Sequence, residues 1–480
     1  MVFSSSIFLF VFLPAVYLVH CLLPGVRSRN AWLALSSLVF YSFGQLAYLP
    51  LLLASVLVNY LFGLYLMAGT KGASAGGGTY PARRRKWAVA GAAVCSLLVL
   101  GAFKYLDFLL QTVSSLTGRT LPLTGIVLPI GISFYTFQGL SYVIDVYRQP
   151  ETGTRSLGKL ILYISFFPQL IAGPIIKYHD VSAQIDSRRT LPEQTLSGLR
   201  RFLAGLGKKL LLANTAGQVA DAVFALGAGE LDCRLAWLGA VCYTLQIYLD
   251  FSGYSDMAIG LGSLFGFTFL ENFSLPYTAR SIKEFWRRWH ISLSSWFRDY
   301  LYIPLGGNRR GRLRTGRNKL IVFFTTGLWH GASWTFVLWG LWHGLFSTLE
   351  DMGLIPQWLR KSFLGHIYTL LVVTLGFVLF RAETLEAAWL MSSQMFTPSP
   401  LSHPCALTLR SLLDSRTVCI LLLSLLLSLG LPQRAAEVLR RRLPSPLVQG
   451  WSAAAYAVLF ALCVLTLSAT TFNPFIYFQF

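Results

Sequence analysis

The stretch LIVFFTTGLWHGASWTFVLWGLWHGLFSTL, residues 320–349, lacks Asp, Glu, Lys and Arg and contains the letters GLWHG twice, at Gly327–Gly331 and Gly340–Gly344. Its length and apolar character predict a membrane-spanning helix. A polar side chain at membrane depth costs free energy, and those that occur there usually line a wet cavity or a reaction path. The histidines of the two copies, His330 and His343, are therefore the first candidate functional residues.

The whole chain has the composition of a membrane protein. Hydrophobic residues make up 54% and charged residues 12% of its 480 residues, and the mean hydropathy is +0.57. A chain this apolar predicts an all-α polytopic membrane protein, which we expect to form a single integral membrane domain over 1–480. About eleven spans are expected, within the apolar stretches 6–23, 31–43, 46–67, 87–101, 126–146, 203–226, 237–249, 256–270, 320–349, 367–380, 417–431 and 453–469.

The formal net charge of +20 comes largely from basic clusters in short loops between apolar stretches, such as residues 83–86. This distribution follows the rule that basic loops face the cytoplasm, and it places the N-terminus outside. No nucleic-acid-binding module accompanies the charge, so nucleic acid is not expected as a partner. The seven cysteines show no CxxC or Cys/His ligand spacing, so no metal site is predicted.

Two further segments depart from a plain span. Residues 161–177 contain FFPQ at 166–169 and Gly173-Pro174, which predict a broken or re-entrant helix covered by protein. Residues 281–304, SIKEFWRRWHISLSSWFRDYLYIP, interleave aromatic and basic side chains, and Phe285, Trp289, Ser292 and Trp296 recur at helical spacing. That pattern predicts either an amphipathic helix anchored at the headgroups or a surface that meets phosphate.

Basic residues also follow this segment. The loop Gly306-Gly307-Asn308 and six basic residues between Arg309 and Lys319 could attract an anionic donor such as a CoA or carrier-protein phosphate, or anionic lipid. Both possibilities remain open from the residues alone.

Helical geometry separates the two GLWHG histidines. Thirteen residues on a continuous helix place His330 and His343 on nearly opposite faces and about 20 Å apart, so they cannot share a metal ion. Gly327 and Gly331 clear one face beside His330 for another helix or a ligand. A histidine there is suited to general base catalysis near neutral pH, and a helix-packing role is the alternative. For His343 and His290 the packing role is favoured.

Four blocks of the sequence together resemble one family, the membrane-bound O-acyltransferases, in particular the bacterial branch that acts in alginate O-acetylation. The blocks are LPIGISFYTFQGLSYVIDVYR (128–148), FFPQLIAGPI (166–175), YTLQIYLDFSGYSDMAIG (243–260), and FWRRWHISLSSWFRDYLYIPLGGNR (285–309) continuing to TGLWHGASW (326–334). His330 matches the family's catalytic histidine and His290 its second motif histidine. The resemblance implies a helical ring around a central funnel, with a catalytic core at about 126–349.

The resemblance also implies an activity. A cytoplasmic thioester, acetyl-CoA or an acyl carrier protein, gives an acyl group, expected to be acetyl, across the bacterial inner membrane to a polysaccharide hydroxyl. Transfer could pass through a periplasmic acetyltransferase or esterase-like partner protein, and no bound cofactor is implied. The polymer stays open between alginate, another exopolysaccharide, peptidoglycan and teichoic acid.

We interpret His330 as the general base, with His290 orienting the donor or the hydroxyl. An acyl-histidine intermediate is the less favoured variant. The predicted substrate-binding residues are Trp286, Arg287, Arg288, Trp289, Asn308, Ser333 and Trp334. The competing hypotheses are a transporter or flippase for a polymer precursor without bond-making chemistry, and a structural subunit of an export complex.

Three acidic residues lie in or beside apolar segments, Asp145, Asp250 and Asp256. They would be costly unless paired or hydrated, so we expect each to have a structural partner or a part in the reaction. Gly253 between the last two suggests a helix break, which disfavours a shared carboxylate pair.

Overall fold

The computed structural model describes residues 1–68, 81–398, 408–469 and 472 of the chain. Its regular elements are helices, and no strand occurs among these residues, which confirms the all-α class. They form two compact units, Met1–Phe202 with Ala258–Leu270, and Leu203–Met257 with the described part of Glu271–Phe480.

The first unit contains helices α1 to α9 and most of α10. They are α1 Leu13–Leu22, α2 Gly25–Gln45, α3 Leu49–Ala68, α4 Ala82–Lys104, α5 Leu106–Thr117, α6 Ile132–Arg148, α7 Leu157–Ser165, α8 Phe167–Leu170, α9 Tyr178–Asp186 and most of α10 Pro192–Gly207. A π-helical turn, Phe8–Phe12, precedes α1, and 3-10 turns lie at Leu46–Tyr48 and Pro150–Thr152.

The second unit contains the candidate site. Its helices are α11 Asn214–Phe224, most of α12 Cys233–Leu264, α13 Ile282–Arg288, α14 Ile291–Phe297, α15 Arg312–His330, α16 Trp334–Met352, α17 Gln357–Lys361, α18 Leu364–Arg381, α19 Leu385–Gln394, α20 Leu409–Leu412, α21 Ser415–Ser428, α22 Leu431–Arg442 and α23 Ser445–Ala469. Irregular helical turns lie at Lys208–Ala213, Pro276–Thr278 and Arg298–Tyr302.

The predicted broken segment is present in the first unit. Helix α7 ends at Ser165, the four-residue α8 follows, and residues 171–177 are buried without helical structure. The backbone N–H of Phe167 donates to Ser37 Oγ at 3.1 Å and that of Gly173 to the Gln169 carbonyl at 3.3 Å. Non-helical backbone is tolerated at this depth because protein groups satisfy it.

Two predicted element boundaries are wrong. Helix α6 begins at Ile132 and not at 126, because Gly131 turns the chain with a φ of +76°. The stretches 237–249 and 256–270 were predicted as separate spans, but they share one 32-residue helix, α12. Gly253 does not break that helix; a Cβ there would lie 2.8 Å from the Gly205 carbonyl oxygen, so the glycine allows close helix contact.

The predicted continuous helix over 320–349 is also wrong, because the chain forms a helical hairpin. Helix α15 ends at His330, Gly331 is extended, and α16 starts at Trp334 with Ser333 as its N-cap. The two helices cross closely at glycines: a Cβ on Gly327 would overlap the Phe336 carbonyl oxygen, and one on Gly340 would overlap that of Phe323. The repeated glycines therefore permit helix packing within the motif itself.

The chain is a multi-pass membrane protein. Hydropathy predicted more membrane spans than the described helices provide by their length and composition. By length and composition, four described stretches could cross a membrane: Gly25–Ala68, Ala82–Lys104, Leu364–Arg381 and Ser445–Ala469. The pair Ser415–Ser428 and Leu431–Leu439, bent by 71°, would make a fifth. About eleven were expected. A helix apolar on all sides can equally be buried in protein, as α6 nearly is.

Candidate functional site

His330 is the last residue of α15 and is only 4% exposed. Three aromatic rings meet its imidazole edge to face, those of Trp329 at 4.9 Å, Trp339 at 5.0 Å and Phe380 at 5.2 Å between ring centroids. The helix ends here because Gly331 takes an extended conformation. The imidazole therefore lies at a helix terminus, inside an apolar aromatic cage.

His290 connects the short helices α13 and α14 and is fully buried. Its φ of +44° is in the left-handed region, which costs a non-glycine residue about 1–3 kcal/mol. Asn272 holds this conformation: its carbonyl accepts from Ile291 N at 3.0 Å, and its side-chain Oδ1 lies 3.2 Å from His290 Nδ1.

The Asn272 side chain also fixes the protonation of His290. The backbone N–H of Ser292 donates to the same Oδ1 at 3.2 Å, so this oxygen is an acceptor and His290 Nδ1 must carry the proton. Among the described residues, none hydrogen-bonds to His290 Nε2. Burial lowers the pKa of His290 to about 3, so the ring is neutral at neutral pH.

The two motif histidines meet. The ring centroids of His290 and His330 are 6.4 Å apart, and the Trp329 ring lies 6.1 Å from that of His290. The structure thus brings together the two predicted catalytic residues, one from the end of α15 and one from the connection between α13 and α14.

Trp339 and His343, on α16, complete the cage. The Trp339 ring is 5.0 Å from that of His330, 5.3 Å from that of His343 and 5.8 Å from that of Trp286. The expected separation of the two GLWHG histidines by about 20 Å is wrong, because the break after His330 folds α16 back along α15. Sequence analysis missed Trp339; the Gly331 to Ser333 sequence, a helix stop and an N-cap, is the signal that could have revealed the hairpin.

A cavity of about 180 Å³ lies on the other side of Trp286. Its lining is Trp286, Leu293, Ser294, Phe297, Arg298, Tyr302, Lys319, Val322, Phe323 and Thr326. Thr326 is one helical turn before His330, although His330 does not line the cavity. Lys319 Nζ donates to Ser347 Oγ at 2.9 Å and also pairs with Asp351. The cavity therefore has apolar walls and two cations, and its lining reaches within one turn of the histidine cage.

The other predicted substrate-binding residues lie outside this cage. Trp289 is buried among rings, 5.4 Å from Phe285, and Arg288 binds Glu284 at 2.6 Å. Arg287 and Asn308 are exposed, and Trp334 is 50% exposed. The Ser333 hydroxyl lies 2.7 Å from Thr335 Oγ1 at the start of α16.

The three acidic residues in apolar segments each have a basic partner. Asp250 lies 2.8 Å from Lys209 Nζ and Asp256 lies 2.6 Å from Lys208 Nζ. Asp145 lies 2.8 Å from His179 Nδ1. These pairs offset the cost of the buried charge, which fits the structural interpretation. Within the described ranges, no group of three or more His, Cys, Asp or Glu side chains could hold a metal ion.

The chain is similar to one protein family and to several curated proteins. The family model of membrane-bound O-acyltransferases (MBOAT) matches residues 152–382, which include His290, His330 and Trp339. The chain is 40% identical to the probable alginate O-acetylase AlgI of Azotobacter vinelandii, over the full length of both. It is 36% identical to the peptidoglycan O-acetyltransferase of Helicobacter pylori, over 81% of this chain and 78% of that one. It is 30% identical to the teichoic acid D-alanyltransferase of Streptococcus thermophilus, over 48% and 58%.

Proposed function

The chain belongs to the membrane-bound O-acyltransferase family and is an O-acyltransferase, and we propose that it acetylates an extracytoplasmic polysaccharide of the alginate type. The donor is a cytoplasmic thioester, acetyl-CoA or an acetylated carrier protein, and the membrane is the bacterial inner membrane. The acceptor hydroxyl belongs to the polymer itself or to a periplasmic partner protein that acetylates it. The identity over full length to alginate O-acetylases supports this choice of polymer.

His330 is the general base in this proposal. It takes the proton of the acceptor hydroxyl as the oxygen bonds to the thioester carbonyl carbon, which gives a tetrahedral intermediate with a negative oxygen. When the C–S bond breaks, the thiolate leaves with the electron pair and takes the proton from His330. The ring returns to its neutral form, and no other reactant is needed.

His290 orients a reactant. Since Nδ1–H is engaged by Asn272, Nε2 carries the lone pair, and this buried nitrogen has no hydrogen-bonding partner among the described residues. That nitrogen can accept from a second hydroxyl of the acceptor sugar or from an amide N–H of the donor arm. Fixing the reacting groups in this way accelerates a reaction between them by reducing its entropic cost.

The cavity beside Trp286 is the donor site in this proposal. Arg298 pairs with Asp299 and Lys319 with Asp351, and a donor phosphate would join these two cations. The aromatic walls from Phe297 and Phe323 fit the apolar part of the arm. Because His330 does not line the cavity, the acyl end must extend past the Trp286 ring to reach it. The aromatic rings around His330 exclude water from the thioester there.

The contact of His290 with His330 carries the proposal, and substitution tests it. We expect His330→Ala to abolish formation of labelled ester from radiolabelled acetyl-CoA or acetylated carrier protein on alginate oligomers, using the full chain in proteoliposomes. The matched control is His366→Ala, since His366 contacts Arg280 outside the cage and should leave the rate unchanged. Ester formation by folded His330→Ala at the original rate would refute the assignment, and a transporter would form no ester in any variant.

A further inference from the structure

Three side chains of the cage, Trp286, Trp339 and His343, carry buried ring nitrogen atoms. Within the described part of the chain, no group hydrogen-bonds to Trp286 Nε1, Trp339 Nε1 or either ring nitrogen of His343. Trp339 is 1% exposed and His343 is fully buried. The rings are in mutual contact, with centroids 5.3 Å apart between Trp286 and His343 and 5.8 Å apart between Trp286 and Trp339.

Such a cluster is costly as a purely structural feature. A buried N–H left without an acceptor costs about 1–3 kcal/mol, and indole N–H groups usually find a partner when buried. The neighbouring Trp342, one turn of the same helix away, follows that rule, because its Nε1 donates to the Val372 carbonyl at 2.9 Å. The Trp286 and Trp339 N–H groups therefore indicate a place for an oxygen acceptor supplied by a reactant.

The position of Trp339 identifies that acceptor. Its ring is 5.0 Å from that of His330 and 5.8 Å from that of Trp286, which lines the donor cavity. A thioester that extends from the cavity to His330 therefore comes close to this indole. The oxygen that arrives there is the thioester carbonyl, which gains negative charge when the hydroxyl attacks.

We propose that the indole N–H of Trp339, assisted by that of Trp286, binds the thioester carbonyl oxygen and stabilises the oxyanion formed next to His330. This inference rests on the proposed acyl transfer. The N–H is a fixed donor in a site from which water is excluded, where such stabilisation is most effective. His343 is a positioning residue that packs on the Trp339 ring, and Gly376 leaves room for its imidazole, since a Cβ at 376 would lie 2.7 Å from His343 Nε2.

Replacement of Trp339 by benzothienylalanine tests the role of the N–H, because this analogue keeps the shape of the ring and has sulfur in place of N–H. With acetyl-CoA and alginate oligomers as probes, or the carrier-protein donor if that supports wild-type turnover, we expect kcat to fall about 100-fold. The KM for the donor should stay near its original value, because the charge develops only in the transition state. Trp339→Phe should show a loss at least as large.

Trp342→Phe is the matched control, because Trp342 lies on the same helix as Trp339 and its N–H already donates to the Val372 carbonyl. The kcat of this variant should stay near wild type. A folded benzothienylalanine variant with wild-type kcat would overturn the proposal, and so would a loss confined to Trp339→Phe, since only packing would then matter. His330→Ala separates the two levels of the argument. If it is inactive while the benzothienylalanine variant is normal, only the oxyanion role fails; if it is active, the proposed function fails.

Discussion

The imidazole rings of His290 and His330 lie with their centroids 6.4 Å apart, and the indole of Trp329 contacts both. One histidine ends a long helix and the other occupies a left-handed break between two seven-residue helices. Each histidine therefore lies where a helix is interrupted, and both rings are buried in the protein.

Asn272 should control the orientation of His290. Asn272→Ala removes the acceptor of His290 Nδ1 and of Ser292, so His290 can rotate and exchange its proton between nitrogens. We expect kcat to fall by about 100-fold, the scale of a small misplacement of a reacting group. Asn272→Asp keeps the acceptor oxygen and should recover part of the rate. Equal rates for Asn272→Ala and the wild-type protein would show that His290 needs no such support.

The sequence singled out three residues that the structure brings together at the candidate site, His290, His330 and Trp286. The hairpin at Gly331 could not be predicted from hydropathy, because both arms of 320–349 are equally apolar. That error hid Trp339, which a continuous helix would not place beside a residue nine positions earlier. Trp334 was chosen for its closeness to His330 in sequence, but the same chain reversal leaves it 50% exposed.

The same limit applies to the fold. Hydropathy predicted apolar helices, but it divided α12 and joined α15 to α16. The breakers around Pro168 correctly predicted a broken segment. Hydropathy could not separate helices that face lipid from those buried in protein, because both are apolar on every side. Gly253 was misinterpreted for a related reason: a glycine that admits a neighbouring helix and one that ends a helix look alike in sequence.

Lys319 should contribute to donor binding. It lines the cavity beside Trp286, and it shares Asp351 with Lys283. A hydrogen bond to a charged group contributes about 1.5–3 kcal/mol. Lys319→Gln should therefore raise the KM for the donor by at least about tenfold, with a smaller effect on kcat. Wild-type KM should also rise with salt more steeply than that of the variant. Lys361→Gln, an exposed charge outside the cavity, is the control; an equal shift in both variants would contradict a local role.

His179 should make stability depend on pH. Its hydrogen bond to Asp145, with a second contribution from Asp180, raises the pKa of His179 to about 10. A raised pKa stabilises the folded state fully below the unfolded pKa of about 6.5, and this contribution is lost as pH rises towards about 10. The Tm difference between wild type and His179→Gln in detergent should therefore shrink between about pH 6 and about pH 10. A difference that is constant over this range would argue against the ion pair.

The hairpin of α15 and α16 should depend on Gly327 more than on an ordinary helical glycine. A Cβ at 327 would overlap the Phe336 carbonyl oxygen, which is backbone and cannot turn aside. Gly327→Ala should therefore force the helices apart, lower stability by about 1–3 kcal/mol, and displace His330, which follows within one turn. Gly101→Ala is the matched control, because no heavy atom lies within 4 Å of its added Cβ and alanine favours a helix. The unfolding temperature in detergent and the acetylation rate should both fall for Gly327→Ala, and both should stay near wild type for Gly101→Ala. If Gly327→Ala unfolded at the wild-type temperature with full activity, the close crossing of the two helices would not be what positions His330.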